Sequence, residues 1–480
     1  MNRKMIAYFV GRVLRIEAVL MALPLIVSIL YREDEWIYLA VAVVLSLGSG
    51  YALSYRMPKN ASFYTREGIV AVAFSWILMS VIGAIPLWHA VSHIGFTDAL
   101  FETISGFTTT GASILTEVES LPRGVLFWRS FTHWVGGMGV LVFILAIIPE
   151  VGGDNIFLMR AESPGPSVGK LLPRVKSTAK ILYLIYIAIT ALEIISLLIT
   201  GMSPYEAALI SFGTVGTGGF AVTNNGCMAY SQVQQCIITF FMVVCGANFN
   251  VYYLIVARKF RDAFTSEEVI AYLSIYATAT LLVAVNIRNV FGSFWEGLHH
   301  SFFNVASVMT TTGFASADFN MWPNFSKTML LLMMFIGGCA GSTAGGIKVS
   351  RIVIGFKTIR KELAHFVHPR SVKILKFERK PIEHAVLRGI NVYFLTYITI
   401  FAVSILLVAF DGKDFTTTVT AVIATFNNIG PGLEMVGPVG NYSQFSAFAK
   451  YVLMFDMLAG RLELFPMLLI FMPMTWRRQR

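Results

Sequence analysis

The chain has 480 residues, of which 56% are hydrophobic and only 13% charged, and it carries a formal net charge of +10. Soluble globular domains hold about 25% charged residues, so this composition argues against an ordinary cytosolic enzyme. The four cysteines, Cys227, Cys236, Cys245 and Cys339, form no CxxC pair, which argues against a disulfide framework or a zinc site.

Apolar runs long enough to cross ~30 Å of hydrocarbon as a helix of about 20 residues lie near 13–30, 36–54, 68–89, 124–149, 181–201, 232–257, 269–287, 326–347, 389–410 and 451–475. They predict ten spans. The first lacks a small-residue cleavage site and is followed by Arg32–Glu33–Asp34–Glu35, so it does not read as a cleaved signal peptide. An even number of spans puts both termini on one side. Loops on that side carry 29 of the 37 Lys and Arg, the opposite loops carry 7, and Arg461 falls within the last span. The positive-inside rule then makes the termini cytoplasmic. Topology explains the basic excess, and no nucleic acid is called for.

Four polar runs rich in Gly and Thr punctuate the spans, all on the outer side: Thr108-Thr109-Thr110-Gly111-Ala112, Gly216-Thr217-Gly218-Gly219-Phe220, Thr310-Thr311-Thr312-Gly313-Phe314 and Asn427-Asn428-Ile429-Gly430-Pro431. With Gly111, Gly219, Gly313 and Gly430 as equivalents the intervals are 108, 94 and 117 residues. A short amphipathic segment precedes each run: Thr97–Phe107, Pro204–Thr214, Trp295–Met309 and Phe415–Phe426. These are too short to cross a bilayer, and re-entrant half-helices fit them. The unit is span, half-helix, turn, span, repeated four times. Its predicted boundaries are 67–160, 161–262, 263–370 and 371–480, with a two-span hairpin in 1–66. The expected fold is thus an all-α polytopic membrane protein with four pseudo-symmetric repeats around one pore.

Moving a bare monovalent ion into a low-dielectric medium costs on the order of 20 kcal/mol on an idealised Born estimate. Glycine turns can aim backbone carbonyls inward to replace the lost water, and threonines add hydroxyl oxygens, as in a potassium filter. Each half-helix also points its C-terminal end, about −0.5 charge, at the turn. At ~8 Å and an effective dielectric of ~20 each contributes about 1 kcal/mol to a cation. That sets a preference for cations, while the carbonyls carry most of the load. The outer loops hold 13 acids, Asp98, Glu102, Glu206, Glu296 and Asp414 among them, against 7 bases. They read either as a cation-concentrating vestibule or as solvated loop charge.

At these residues the chain resembles the TrkH/KtrB/HKT superfamily of cation-translocating membrane subunits, and within it the bacterial TrkH/TrkG branch. The four runs, the Gly-rich segment at 337–346 and Ala459-Gly460-Arg461-Leu462-Glu463 carry the resemblance, and the hairpin in 1–66 is similar to TrkH and unlike the shorter KtrB. The resemblance implies a bacterial inner-membrane potassium uptake subunit with one pore per chain and no cofactor besides the transported ion. It also implies homodimerisation and control by a cytosolic TrkA-type nucleotide-binding subunit. Its filter falls on Thr109, Thr110, Gly111, Thr217, Gly218, Gly219, Thr311, Thr312, Gly313, Asn428, Ile429 and Gly430. Glycine at all four key positions resembles the potassium-selective members, since sodium-transporting plant relatives can carry serine at the first. The second run has three glycines and an ambiguous register, taken at Gly219 by analogy with Gly313-Phe314. The fourth departs most, because Asn427-Asn428-Ile429 replaces the threonines.

Arg461, about midway along a span, would cost ~2.5–3.5 kcal/mol facing lipid. It reads as a gating charge below the filter, or as half of an ion pair with Asp456 or another helix. Residues 337–346 hold five glycines, Gly337, Gly338, Gly341, Gly345 and Gly346, at up to ~1 kcal/mol each against alanine in a helix. A phosphate-binding loop fails there because Ile347 separates Gly346 from Lys348. The family's equivalent is a mobile intramembrane gate, and the alternative is close helix packing through small residues. The basic stretch Lys348–Arg388, with Arg160–Lys180 and Arg258–Arg261, reads either as a dock for the regulatory partner or as attraction to anionic lipid. His299-His300 read as pore-helix packing, and no catalytic constellation appears, so no enzyme is expected. The rival to a channel is a proton- or sodium-coupled symporter, for which Glu193 and Asp456 are the candidate buried acids.

Overall fold

The computed structural model describes residues 1–58, 65–91, 93–137, 139, 175–370 and 374–476. Helices α1 (Arg3–Leu30) and α2 (Trp36–Ser54) form the N-terminal hairpin. Their backbones meet where Gly11 and Gly50 face each other, a side chain at either being blocked by the other's carbonyl at 2.7–2.9 Å. Close approach through small residues is a common way for helices to associate in lipid, where apolar burial gives no preference for a protein neighbour. Ser46 Oγ donates to the buried Glu17 at 2.9 Å across the same contact. The hairpin lies against α3 (Thr65–Gly83) and α6 (Arg123–Gly137).

Four half-helices lie within a residue of their predicted bounds: α5 (Phe96–Phe107), α8 (Pro204–Val215), α12 (Phe294–Met309) and α16 (Phe415–Phe426). The helices α4 (Ile85–Ala90), α7 (Val175–Ile199), α9 (Gln232–Gly246), α10 (Phe249–Val256) and α11 (Glu267–Ile287) fall between them in chain order. So do α13 (Asn324–Ile336), α14 (Val349–Val367) and α15 (His384–Ala409), while α17 (Ala447–Arg461) and α18 (Phe465–Phe471) follow the last. A two-stranded hairpin, β1 (Lys376–Phe377) with β2 (Lys380–Pro381), sits in the basic stretch before α15. Asp98, Glu206 and Glu296 occupy the first turns of α5, α8 and α12. Asp414 caps α16, and hydrogen bonds from the Thr417 hydroxyl and then from the Thr417 N–H, at 2.8 Å, hold its carboxyl below the usual range. These four outer acids therefore complement helix N-termini, a role beyond loose loop charge.

The ten predicted spans are not ten straight helices. Six helices among the described residues are long and apolar enough to cross. Three other predicted spans break midway. The run 232–257 is two helices bent by 91°, with Asn248 capping the second by accepting the Asn250 N–H at 2.9 Å. The run 326–347 stops at Gly337, whose φ is +72°. The run 451–475 stops at Arg461, because Glu463 and Leu464 both adopt left-handed backbone, at +60° and +65°. For the predicted span 124–149, the described helix ends at Gly137 and residues 140–149 lie outside the described residues. The predicted boundary at 160/161 and the basic segment up to residue 174 lie outside them as well. Hydropathy measures how long a segment stays apolar, which says nothing of whether its backbone stays helical.

Candidate functional site: a closed ring of four turns

Each half-helix runs straight into its Gly/Thr run, and all four runs fold alike. The amides of Thr110, Gly218, Thr312 and Ile429 donate to the carbonyls five residues back, on Ser105, Gly213, Ser307 and Ala424, at 2.8–2.9 Å. The preceding residue is left-handed in every run: Thr109 at +54°, Thr217 at +54°, Thr311 at +56° and Asn428 at +57°. The glycine two residues on is left-handed too, with φ of +78° at Gly111, +78° at Gly219, +85° at Gly313 and +94° at Gly430. Single non-glycine residues in that region cost roughly 1–2 kcal/mol each, so the strain repeats at four matching points. It also fixes the register of the second run on Thr217-Gly218-Gly219.

The glycines close the ring. A methyl group on Gly111 would overlap the Gly218 carbonyl oxygen, one on Gly219 that of Thr312, and one on Gly313 that of Ile429. On Gly430 it would stand 2.7 Å from the Thr110 oxygen. The runs thus contact one another in chain order, and the fourth returns to the first. All four glycines line one open cavity of about 140 Å³.

Hydroxyls do not follow this symmetry. Thr108 and Thr110 pair through their Oγ1 atoms at 2.8 Å, as do Thr310 and Thr312. The second run has glycine at both equivalent positions. In the fourth, Tyr397 Oη donates to Asn427 Oδ1 at 2.8 Å and Asn428 Nδ2 donates to Thr110 Oγ1 at 2.9 Å. Thr109 Oγ1 and Asn428 Oδ1 are buried and have no hydrogen-bond partner among the described residues.

On the far side of the ring the broken spans meet. Residues 337–348 leave α13 and return to it, with Ile347 and Lys348 amides donating to Phe335 and Ile336 carbonyls at 3.1 and 3.0 Å. The excursion spans neighbouring elements: Cys339 N–H donates to Gly246 O at 2.9 Å, and Gly345 N–H donates to Thr311 Oγ1 of the third run at 2.6 Å. Gly345 sits so close to Asn427 O that a side chain would strike it. Lys348, buried and left-handed at +84°, donates to Ala344 O. Arg461 donates Nη2 to Gly136 O and Gly137 O at 2.5 and 2.8 Å, and Nη1 to Thr343 O at 2.8 Å. It therefore contacts backbone of α6 and of the 337–348 loop. The suggested pairing with Asp456 is corrected, because Asp456 accepts from Ser404 Oγ at 2.6 Å instead. Glu463 pairs with Arg351 of α14. Glu193, the other candidate acid, is fully buried in α7 beside Thr214.

Two residues counted among the outer loop charges, Glu102 and Arg129, are in fact buried beside the first turn. Their ion pair is 2.7 Å long at 0% and 3% side-chain exposure, and Glu102 also accepts from Ser113 Oγ and Ile114 N, both at 2.9 Å. Removing one partner from such a pair strands a charge and costs about 3–5 kcal/mol. Glu102→Ala should lower stability by that order, read as thermal unfolding of the detergent-solubilised protein. His299 and His300 sit on α12, bonded to Gln235 Oε1 at 2.7 Å and Ser316 Oγ at 3.0 Å, in structural roles.

Comparison with known proteins fits this geometry. The family model TrkH, described as a cation transport protein, matches residues 36–478. The chain is 34% identical to the Trk system potassium uptake protein TrkH of Salmonella typhimurium, over 99% of this chain and 100% of that one. It is 31% identical to the Trk system potassium uptake protein TrkG of Escherichia coli over 99% of each. The crystal structure of the potassium transporter TrkH from Vibrio parahaemolyticus superposes with a TM-score of 0.89 at 30% identity, covering 99% of this chain and 100% of that one. The family is one of potassium-transporting membrane proteins and not of enzymes, and this chain belongs to it, on the TrkH/TrkG branch.

Proposed function

We propose that this chain is a potassium uptake subunit of the bacterial cytoplasmic membrane, conducting the ion through the ring of four turns. The observation that carries the reading is the closed contact of Gly111, Gly219, Gly313 and Gly430 with the carbonyl oxygens of the neighbouring runs. Carbonyls brought together in this way can replace an ion's hydration shell. Thr109 Oγ1 and Asn428 Oδ1, which have no hydrogen-bond partner among the described residues, add acceptors. Four span–turn–span repeats with ten crossings and cytoplasmic termini fit the ring and the loop charges. The 337–348 loop and Arg461 act as the gate. A homodimer regulated by a TrkA-type subunit follows from the family resemblance, and the basic cytoplasmic stretch is where that subunit docks.

The test is cation flux into liposomes holding the purified protein, under potassium and under sodium gradients. Potassium-selective flux driven by its own gradient is expected. Flux that needs a proton gradient would refute conduction and turn attention to Glu193 and Asp456.

A further inference from the structure

The second run poses a structural problem. Runs one and three are braced by threonine hydroxyl pairs and run four by Tyr397 and Asn428. Run two has Gly216 and Gly218 at those points and so lacks the paired hydroxyls, its Thr217 Oγ1 donating only to the adjacent Gly216 O at 2.7 Å. We propose that His133, aided by Arg129 one turn earlier on α6, is the positioning residue that sets the second run for potassium. This rests on the conduction reading above.

The imidazole is fully buried. Its Nδ1 lies 2.8 Å from Gly106 O, and a carbonyl can only accept, so Nδ1 carries the proton. Nε2 is then a free acceptor, and it takes the Phe220 N–H at 3.2 Å. The ring occupies the space a side chain on Gly218 would need, and the His133 carbonyl occupies that of Gly216. The two glycines of run two thus make room for the histidine.

Arg129 adds a parallel rung. It pairs with Glu102, donates Nη1 to Ala221 O at 3.1 Å, and lies 3.6 Å above the Phe220 ring. Residues 129 and 133 share one face of α6, and 102 and 106 share one face of α5. Two rungs therefore tie the first half-helix, through α6, to the backbone leaving run two.

The arrangement is not shared by the helices that end at Gly246 and Gly460. Gly137 and Gly246 both pack on the first residue of the next run, Gly216 and Thr310. Gly136 and Gly460 both pack on the last carbonyl of a half-helix, Phe107 and Phe426. Counting back by the same number, the equivalents of His133 are Met242 and Met457, which have no proton to donate. The ring bears on Gly218, whose carbonyl meets Gly111 in the filter, so a loosened ring lets that oxygen close on a smaller ion.

The test measures potassium and sodium flux in liposomes for wild type, His133→Met, His133→Gln and Gly218→Ala, with thermal unfolding on each. His133→Met should lower the potassium-to-sodium flux ratio roughly tenfold, the scale set by a lost buried hydrogen bond. His133→Gln keeps a donor and an acceptor and should recover most of the ratio. A wild-type ratio in His133→Met overturns the proposal, as does a His133→Gln variant as unselective as His133→Met. If His133→Met does not fold, Gly218→Ala tests the contact from the other side, and an unchanged ratio there overturns it. Absent potassium selectivity in the wild type would instead refute the conduction reading itself.

Discussion

Replacing Gly111 with serine is expected to abolish most discrimination between potassium and sodium in reconstituted flux, by tenfold or more. Two costs combine at this position. A side chain at φ +78° is strained by roughly 1–2 kcal/mol, and its Cβ overlaps the Gly218 carbonyl oxygen. Both strain and overlap are relieved by moving backbone, and on the proposed conduction reading that backbone is the one whose carbonyls face the ion. A displacement worth 1.4 kcal/mol between the two ions is already about tenfold in their ratio. The ring geometry grades the four positions. Gly219 and Gly313 are as crowded as Gly111, whereas a Cβ on Gly430 stands 2.7 Å from its neighbour's oxygen. Gly430→Ser should therefore retain more selectivity than serine at the other three. A series in which Gly430→Ser is the most damaging would show that the contacts between runs do not govern the filter.

How far the sequence could reach depended on the kind of constraint. The half-helices and their glycines were legible because a polar Gly/Thr run flanked by apolar segments is tolerated at membrane depth only where it is buried or lines a cavity. Four such runs at intervals of 108, 94 and 117 residues reinforce one another. The register of run two was legible only by analogy, since three neighbouring glycines are chemically identical and differ only in φ. The breaks at Ala247 and Leu464 were hidden, because Asn248 and Glu463 lie in runs whose mean apolarity is unaffected by a kink. Glu102, Arg129 and His133 were hidden for another reason. Charge counting assigns Glu102 and Arg129 to the outer loops, and His133, uncharged in that count, falls unmarked inside the predicted span 124–149. Their spacing did hold a signal: 102/106 on one helix and 129/133 on the next are both one helical turn apart. Nothing in one sequence says that the two faces meet.

Arg461→Ala should raise potassium flux through the protein alone, by roughly an order of magnitude or more, and two separable effects contribute. The first is mechanical. The guanidinium holds carbonyls of Gly136, Gly137 and Thr343 at 2.5–2.8 Å, which ties the 337–348 loop to α6 and, on the proposed reading, keeps it in the ion's path. Hydrogen bonds from a charged donor contribute about 1.5–3 kcal/mol, so releasing them shifts the loop toward leaving. The second is electrostatic. A fixed positive charge ~8 Å from a passing cation at an effective dielectric of ~20 repels it by about 2 kcal/mol, or some thirtyfold in occupancy. Arg461→Lys separates the two: lysine keeps the charge but cannot span three carbonyls with one planar fork. Its flux should fall between wild type and Arg461→Ala, and it should answer to the same loop. Gly345→Ala supplies the complementary push, since its Cβ would strike Asn427 O and dislodge the loop while Arg461 stays in place. Arg461→Lys conducting like wild type while Gly345→Ala stays closed would mean that charge alone restrains the ion. Arg461→Lys conducting as freely as Arg461→Ala would mean that the fork alone does. On the proposed gating reading both effects are expected, because the side chain that would repel the ion also holds Gly136, Gly137 and Thr343, and the loop it holds donates to Gly246 O and to Thr311 Oγ1.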